Sequence, residues 1–123
     1  MARKSWDDDQ VKEFFTRPAE TDKLEVICEI DESPGLMKYA RQTLKTRQNK
    51  TDLNRLLDRF RTGIDNPGIG TRSIETAYLF ELRAREGARC YFYKEDDIIK
   101  VVGISDKNNQ DAVLAILKLL YKN

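Results

Sequence analysis

An α+β fold is predicted for this chain of 123 residues, and three features of the sequence predict it. Apolar residues recur at helical spacing through much of the first half, the period drops to two after residue 77, and an apolar helical stretch closes the chain. Helices grouped apart from a run of closely spaced strands separate this pattern from an alternating βαβ chain. At this length folding buries roughly two-thirds of the surface that the unfolded chain exposes, enough for one ordinary core.

Residues 7–17 read as a short helix. Asp7, Asp8 and Asp9 suit the positive end of its dipole, Val11, Phe14 and Phe15 supply an apolar side, and Pro18 stops it. Lys23 to Asp31 alternates, with Leu24, Val26, Cys28 and Ile30 facing one way, as a half-buried strand does. Ser33 and Pro34 read as N-cap and first residue of a helix carrying Leu36, Tyr39, Ala40 and Leu44, which Gln48-Asn49-Lys50 brings to a close. A second helix is expected from Thr51 or Asp52, striped by Leu53, Leu56, Leu57 and Phe60 and ended by Gly63. Two helices joined so closely make an antiparallel hairpin. The stretch Ile64 to Gly70 has turn residues and no period, and reads as a loop. Tyr78–Ala84, Arg89–Lys94 and Ile98–Ile104 then form a three-strand meander on the short turns at 85–87 and 95–97. Residues 109–121 form the last helix, apolar on so many sides that it is expected to be sandwiched or offered to a partner.

Composition narrows the function. Hydrophobic residues are 40% and charged residues 35%, which excludes a chain disordered throughout. No apolar run approaches the roughly 18–20 residues that span a bilayer, and the first nine residues contain no signal-peptide core, so no membrane association and a cytoplasmic location are expected. With no histidine, Ser-His-Asp and Cys-His catalysis are excluded. Cys28 and Cys90 lie far apart within strand-like runs and read as small buried hydrophobes; no metal site and no cofactor are expected. Residues 1–32 carry five basic and ten acidic groups, residues 33–94 thirteen and six, and residues 95–123 four and five. A basic middle between acidic ends suits a surface that meets a polyanion.

From Pro67 onward the order of features resembles the RelE/ParE toxin superfamily of bacterial type II toxin–antitoxin systems, with its HigB-like branch. The residues that carry the resemblance are Tyr78-Leu79-Phe80-Glu81-Leu82-Arg83, a turn at Gly87, then Arg89-Cys90-Tyr91-Phe92-Tyr93 and the aliphatic strand 98–104. It covers about residues 23–121. It implies a RelE-like fold over 23–123, with an N-terminal strand and helical hairpin before the meander, and makes residues 1–22 a helical extension. It further implies a toxin that cleaves RNA without a metal, on the ribosome in its best-known form, neutralised by a cognate antitoxin protein. A 2′-hydroxyl attacks the neighbouring phosphate, and cations steady the dianionic phosphorane.

By the resemblance, Arg83, Arg89 and Lys107 stand at the catalytic, phosphate-stabilising positions, with Arg89 at least partly exposed. Lys38, Arg41 and Lys45 share a face of the first hairpin helix, and Arg55 and Arg59 a face of the second. These five, with Arg72 in the basic stretch after the loop, are candidate RNA contacts. Tyr91 and Tyr93 alternate onto one side of their strand, where they are candidates to stack on bases. Each basic stripe also reads as an ordinary solvated face, and each tyrosine as a core residue. The alternative function is a non-catalytic protein-binding domain on the same scaffold, directed at a gyrase-type target or no longer toxic. Leu79 and Glu81, where ribosome-dependent members usually carry lysine, favour it. The final helix, with Leu114, Leu117 and Tyr121, offers a surface for the antitoxin or a homodimer.

Overall fold

The computed structural model describes residues 6–62, 70–74 and 77–122, and of residues 70–72 the backbone alone. It is an α+β structure of four helices and one mixed sheet. Helix α1, Asp8–Phe15, opens on a capping box in which Asp7 accepts from the Gln10 amide at 2.8 Å and the Gln10 side chain accepts from the Asp7 amide at 2.9 Å. Val11 and Phe15 of α1 are fully buried in the core that the rest of the chain builds. Beyond the helix, Arg17 exchanges backbone hydrogen bonds with Val26 at 2.9 and 2.8 Å, which lays the connector along β1, Glu25–Cys28.

Helix α2, Leu36–Leu44, starts later than its sequence suggests. The Ser33 amide is taken by Asp31 in an Asx turn at 2.9 Å, so Ser33-Pro34 belongs to the turn. The cap residue is Gly35 at φ 93°, a left-handed conformation that glycine adopts without a Cβ penalty. Helix α3, Arg47–Arg61, starts earlier than expected. Gln48-Asn49-Lys50 forms its first turn and not a link, because the buried Asn49 amide reaches back to the Thr43 carbonyl at 3.2 Å and caps the end of α2. Gln48 donates to Asp52 one turn on, at 2.9 Å. The connection shrinks to Lys45-Thr46, and the hairpin that results is tight. The expected stop at Gly63 and residues 64–69 of the expected loop lie outside the described residues, while Gly70, read as the end of that loop, begins a strand.

The sheet has five strands in the order β1-β5-β4-β3-β2. Sequence periodicity missed β2, Gly70–Ser73, which is polar and sits at the edge, where burial imposes no alternation. β2 pairs antiparallel with β3, Phe80–Arg83, which pairs with β4, Arg89–Glu95, which pairs with β5, Ile98–Ser105; β1 joins β5 in parallel. The β4–β5 turn holds Asp96 and Asp97 at φ 51° and 64°, the paired positive angles of a hairpin turn whose twist matches its strands. Phe60 of α3 packs on Phe92 with ring centroids 4.8 Å apart, while helix α4, Gln110–Leu120, lies over Tyr91 and Gly103 on the opposite face. A Cβ on Gly103 would meet Leu117 Cδ1 at 3.0 Å, so the helix rests directly on the strand backbone.

α4 is more one-sided than its sequence implies. Val113 and Leu117 are buried within this chain, which removes Leu117 from any outer surface. The exposed apolar groups are Leu119 at 80% and Leu120 at 43%, near Tyr78 at 51%. No helix among the described residues is long and apolar enough to cross a membrane.

Candidate nucleic-acid interface

The three cations singled out at the end of the sheet do converge. Arg83 of β3 lies opposite Arg89 of β4, which lies opposite Ser105 of β5, so one row across the sheet ends in both arginines. The β3–β4 turn closes through Ala84 and Ala88 and carries Gly87 at φ 111°. Its missing Cβ makes room for Lys107, whose Cγ would otherwise lie 2.7 Å from it. The loop holding Lys107 is braced by its own side chains. Asp106 accepts from the Asn108 and Asn109 amides at 2.8 and 3.1 Å, and Asn109 accepts from the Asp106 amide at 2.9 Å. Lys107 itself is exposed.

The arginines are not equivalent. Arg89 is buried, at 6% exposure, against the expectation of an open position. Its guanidinium donates to the Gly87 carbonyl at 2.8 Å, and its Nε lies 3.9 Å from Glu81, which is 1% exposed. Arg83 Nε lies 3.5 Å from the same carboxylate and keeps about a third of its side chain in solvent. The reason is register: Glu81, Arg83, Arg89 and Tyr91 all fall on one face by period two, so the carboxylate is set between the guanidinium groups. Of the three, Lys107 and the outer part of Arg83 remain open to a phosphate, and Arg89 braces the turn between them.

The tyrosines also diverge. Tyr91 has no exposure and shares a hydrogen bond with Ser105 Oγ at 2.8 Å, so it is a core residue unable to stack on a base. Tyr93 is half-buried among Tyr78 and Tyr121, with centroids at 5.8 and 6.3 Å, and Lys100 lies over its ring. Its hydroxyl donates to Glu29 at 3.0 Å. Burial, and then the hydrogen bond to Glu29, push its pKa up to about 12.

On α2 the stripe is divided. Lys38 and Lys45 are exposed, but Arg41 is ion-paired with Asp8 of α1, so an acidic residue of the N-terminal segment neutralises it. On α3, Arg55 and Arg59 are exposed and line a groove of about 420 Å3 with Arg17, Asn54, Asp58 and Arg61. Sequence reading missed Arg17 and Arg61. Arg61 continues the basic end of α3, a signal that was present; nothing in the sequence announces that the chain after α1 brings Arg17 to the same place. Arg72 stands opposite Glu81 in the β2–β3 register, and its side chain is outside the described residues.

The basic end of α3 and the Arg83–Arg89 row lie at different places along β5. Arg61 accepts at its carbonyl from the Leu24 amide just before β1, whose first residue pairs with Ile98, at the start of β5; Arg89 pairs with Ser105, at its end. Among the described residues there is no group of three or more Cys, Asp or Glu side chains placed to hold a metal ion. Comparison with family models, with curated proteins and with solved structures finds no match for this chain.

Proposed function

We propose that this chain is a RelE/ParE-type toxin of a type II toxin–antitoxin pair and that it acts on RNA at the end of the sheet carrying Arg83, Arg89 and Lys107. The observation that supports this reading is the convergence of those three cations beside a turn opened by Gly87. An exposed ammonium and a half-open guanidinium on braced backbone suit a phosphate whose charge rises in the transition state. Attack by the 2′-oxygen, whose proton passes to solvent water, forms a cyclic phosphate and breaks the bond to the 5′-oxygen of the next nucleotide. In that step Lys107 and Arg83 offset the growing charge, and the Lys107 ammonium gives a proton to the departing oxygen. Arg89 acts through the turn, as a positioning residue. The exposed Leu119, Leu120 and Tyr78 provide the apolar ground on which an antitoxin segment, or a second copy of this chain, docks.

A second reading, a non-catalytic protein-binding domain on this scaffold, is favoured by one observation. Glu81, almost wholly buried, lies within 4 Å of both arginines and offsets much of their charge. Induction in a bacterial host separates the two readings. Growth arrest with shortened mRNA, abolished by Lys107→Ala and reduced by Arg83→Ala, supports cleavage. Arrest with intact mRNA supports the second reading, and full growth with intact mRNA contradicts the toxin assignment.

A further inference from the structure

The groove on α3 is a second concentration of positive charge that the first site does not use. Among the described residues, Arg17, Arg55, Arg59 and Arg61 line it with one acidic residue, Asp58. That carboxylate is engaged by Lys23 at 2.8 Å, which also holds its pKa below the usual carboxylate range. Among the described lining residues the balance is positive.

Two of the arginines are fixed. Arg61, only 4% exposed, donates from Nε to the Leu24 carbonyl at 2.7 Å and from Nη2 to the Pro18 carbonyl at 2.5 Å. Arg17 donates to Asn54 at 2.7 Å and lies over the Phe14 ring. Burial lowers the Arg17 pKa, and the proximity of Arg61 lowers it further, so two like charges are held close together on the wall of the groove. Arg55 and Arg59 stand one helical turn apart at its exposed side. Arg61 and Arg17 fix positive charge on the wall while the exposed Arg55 and Arg59 stand at the mouth, a charged setting for phosphate oxygens in a volume that suits a nucleotide-sized ligand.

We propose that this groove binds the phosphate backbone of the RNA strand, as a holding site apart from Arg83 and Lys107. The assignment rests on the RNA reading above. It gives the connector after α1 a role, since that segment supplies Arg17 and the carbonyl that pins Arg61.

The test is binding of a fluorescent oligouridylate to the full chain by anisotropy over a range of salt. Four proteins are compared: wild type, the double variant Arg55→Ala/Arg59→Ala, Asp58→Asn, and Arg83→Ala/Lys107→Ala. The groove variants alter exposed side chains, so their folding is expected to be retained and is checked by circular dichroism. Loss of two phosphate contacts should weaken binding and make the slope of log K against log salt shallower by about 1.4. Asp58→Asn should tighten binding, by removing a carboxylate from the groove. If the first double variant keeps wild-type affinity and slope while Arg83→Ala/Lys107→Ala loses binding, the groove assignment is overturned and the RNA site at the sheet end stands. The reverse pattern supports the groove and overturns RNA binding at the sheet end. A wild type that does not bind the oligonucleotide overturns both.

Discussion

Arg89 links a buried carboxylate to a turn: its guanidinium lies near Glu81 and donates to the Gly87 carbonyl. Removing one partner of a buried pair leaves the other charge uncompensated, which costs more than the pair itself contributes. Arg83, at 3.5 Å, continues to offset part of the Glu81 charge. Arg89→Ala should therefore lower stability by about 2–3 kcal/mol, while the exposed Lys107→Ala should stay within about 0.5 kcal/mol. Urea unfolding of the two variants checks this, and equal midpoints would show that the buried pair contributes nothing. Tyr93 gives a pH-dependent case. Burial and the Glu29 carboxylate disfavour its phenolate, so the folded pKa, about 12, lies above the unfolded value near 10. A raised folded pKa contributes stability that is complete below the unfolded value and is lost as pH climbs through the folded one. Glu29→Gln should bring the Tyr93 titration, followed by phenolate absorbance, down toward 10. An unchanged titration would mean that burial alone sets it.

At the scale of elements, the β3–β4 turn and the β5–α4 loop depend on each other. Gly87 has a left-handed φ of 111°, and the space where its Cβ would sit is filled by the Lys107 side chain. Gly87→Ala should cost about 1–2 kcal/mol, through backbone strain and the displaced lysine. It should also impair whatever phosphate chemistry Lys107 performs. Chemical denaturation measures the first effect and RNA binding the second, and a variant neutral in both would show that the contact is incidental. The α2–α3 junction follows the same logic. A polar residue inside a helix reads as a break, yet Asn49 is there because the end of the preceding helix needs a donor.

For the whole molecule, the N-terminal segment is part of the core. Phe15 is fully buried and meets Phe14 edge-on at 4.8 Å, and Trp6 packs on Phe14 at 6.0 Å. Phe15→Ala should cost about 3–5 kcal/mol and lower the transition of the entire chain. Trp6 is the single tryptophan, so its fluorescence reports this corner while far-ultraviolet circular dichroism reports the sheet and helices. The two unfolding curves should coincide. Separate transitions would make α1 an appendage. Segregation of charge along the chain is partly undone in three dimensions, since Asp8 pairs with Arg41 of the basic middle.

The four helices, strand β1, the hairpin of helices and the three strands of the meander were legible in the sequence, because amphipathic period is imposed wherever one face is buried. Arg83, Arg89 and Lys107 were grouped by the resemblance alone, and the short turn between β3 and β4 is what sets the two arginines opposite each other. Edge strand β2 was not legible, for its sequence Gly-Thr-Arg-Ser carries no apolar period. The tertiary structure decided which charges are open. Arg89 looks like an exposed group on an alternating strand and Tyr91 could stack on a base or join the core, but α4 and the buried Glu81 share their face, so both are enclosed. Arg17 and Arg61 meet across more than forty positions of sequence only because the chain after α1 runs beside β1 and the end of α3. Contacts that distant depend on how elements pack, which no local pattern encodes.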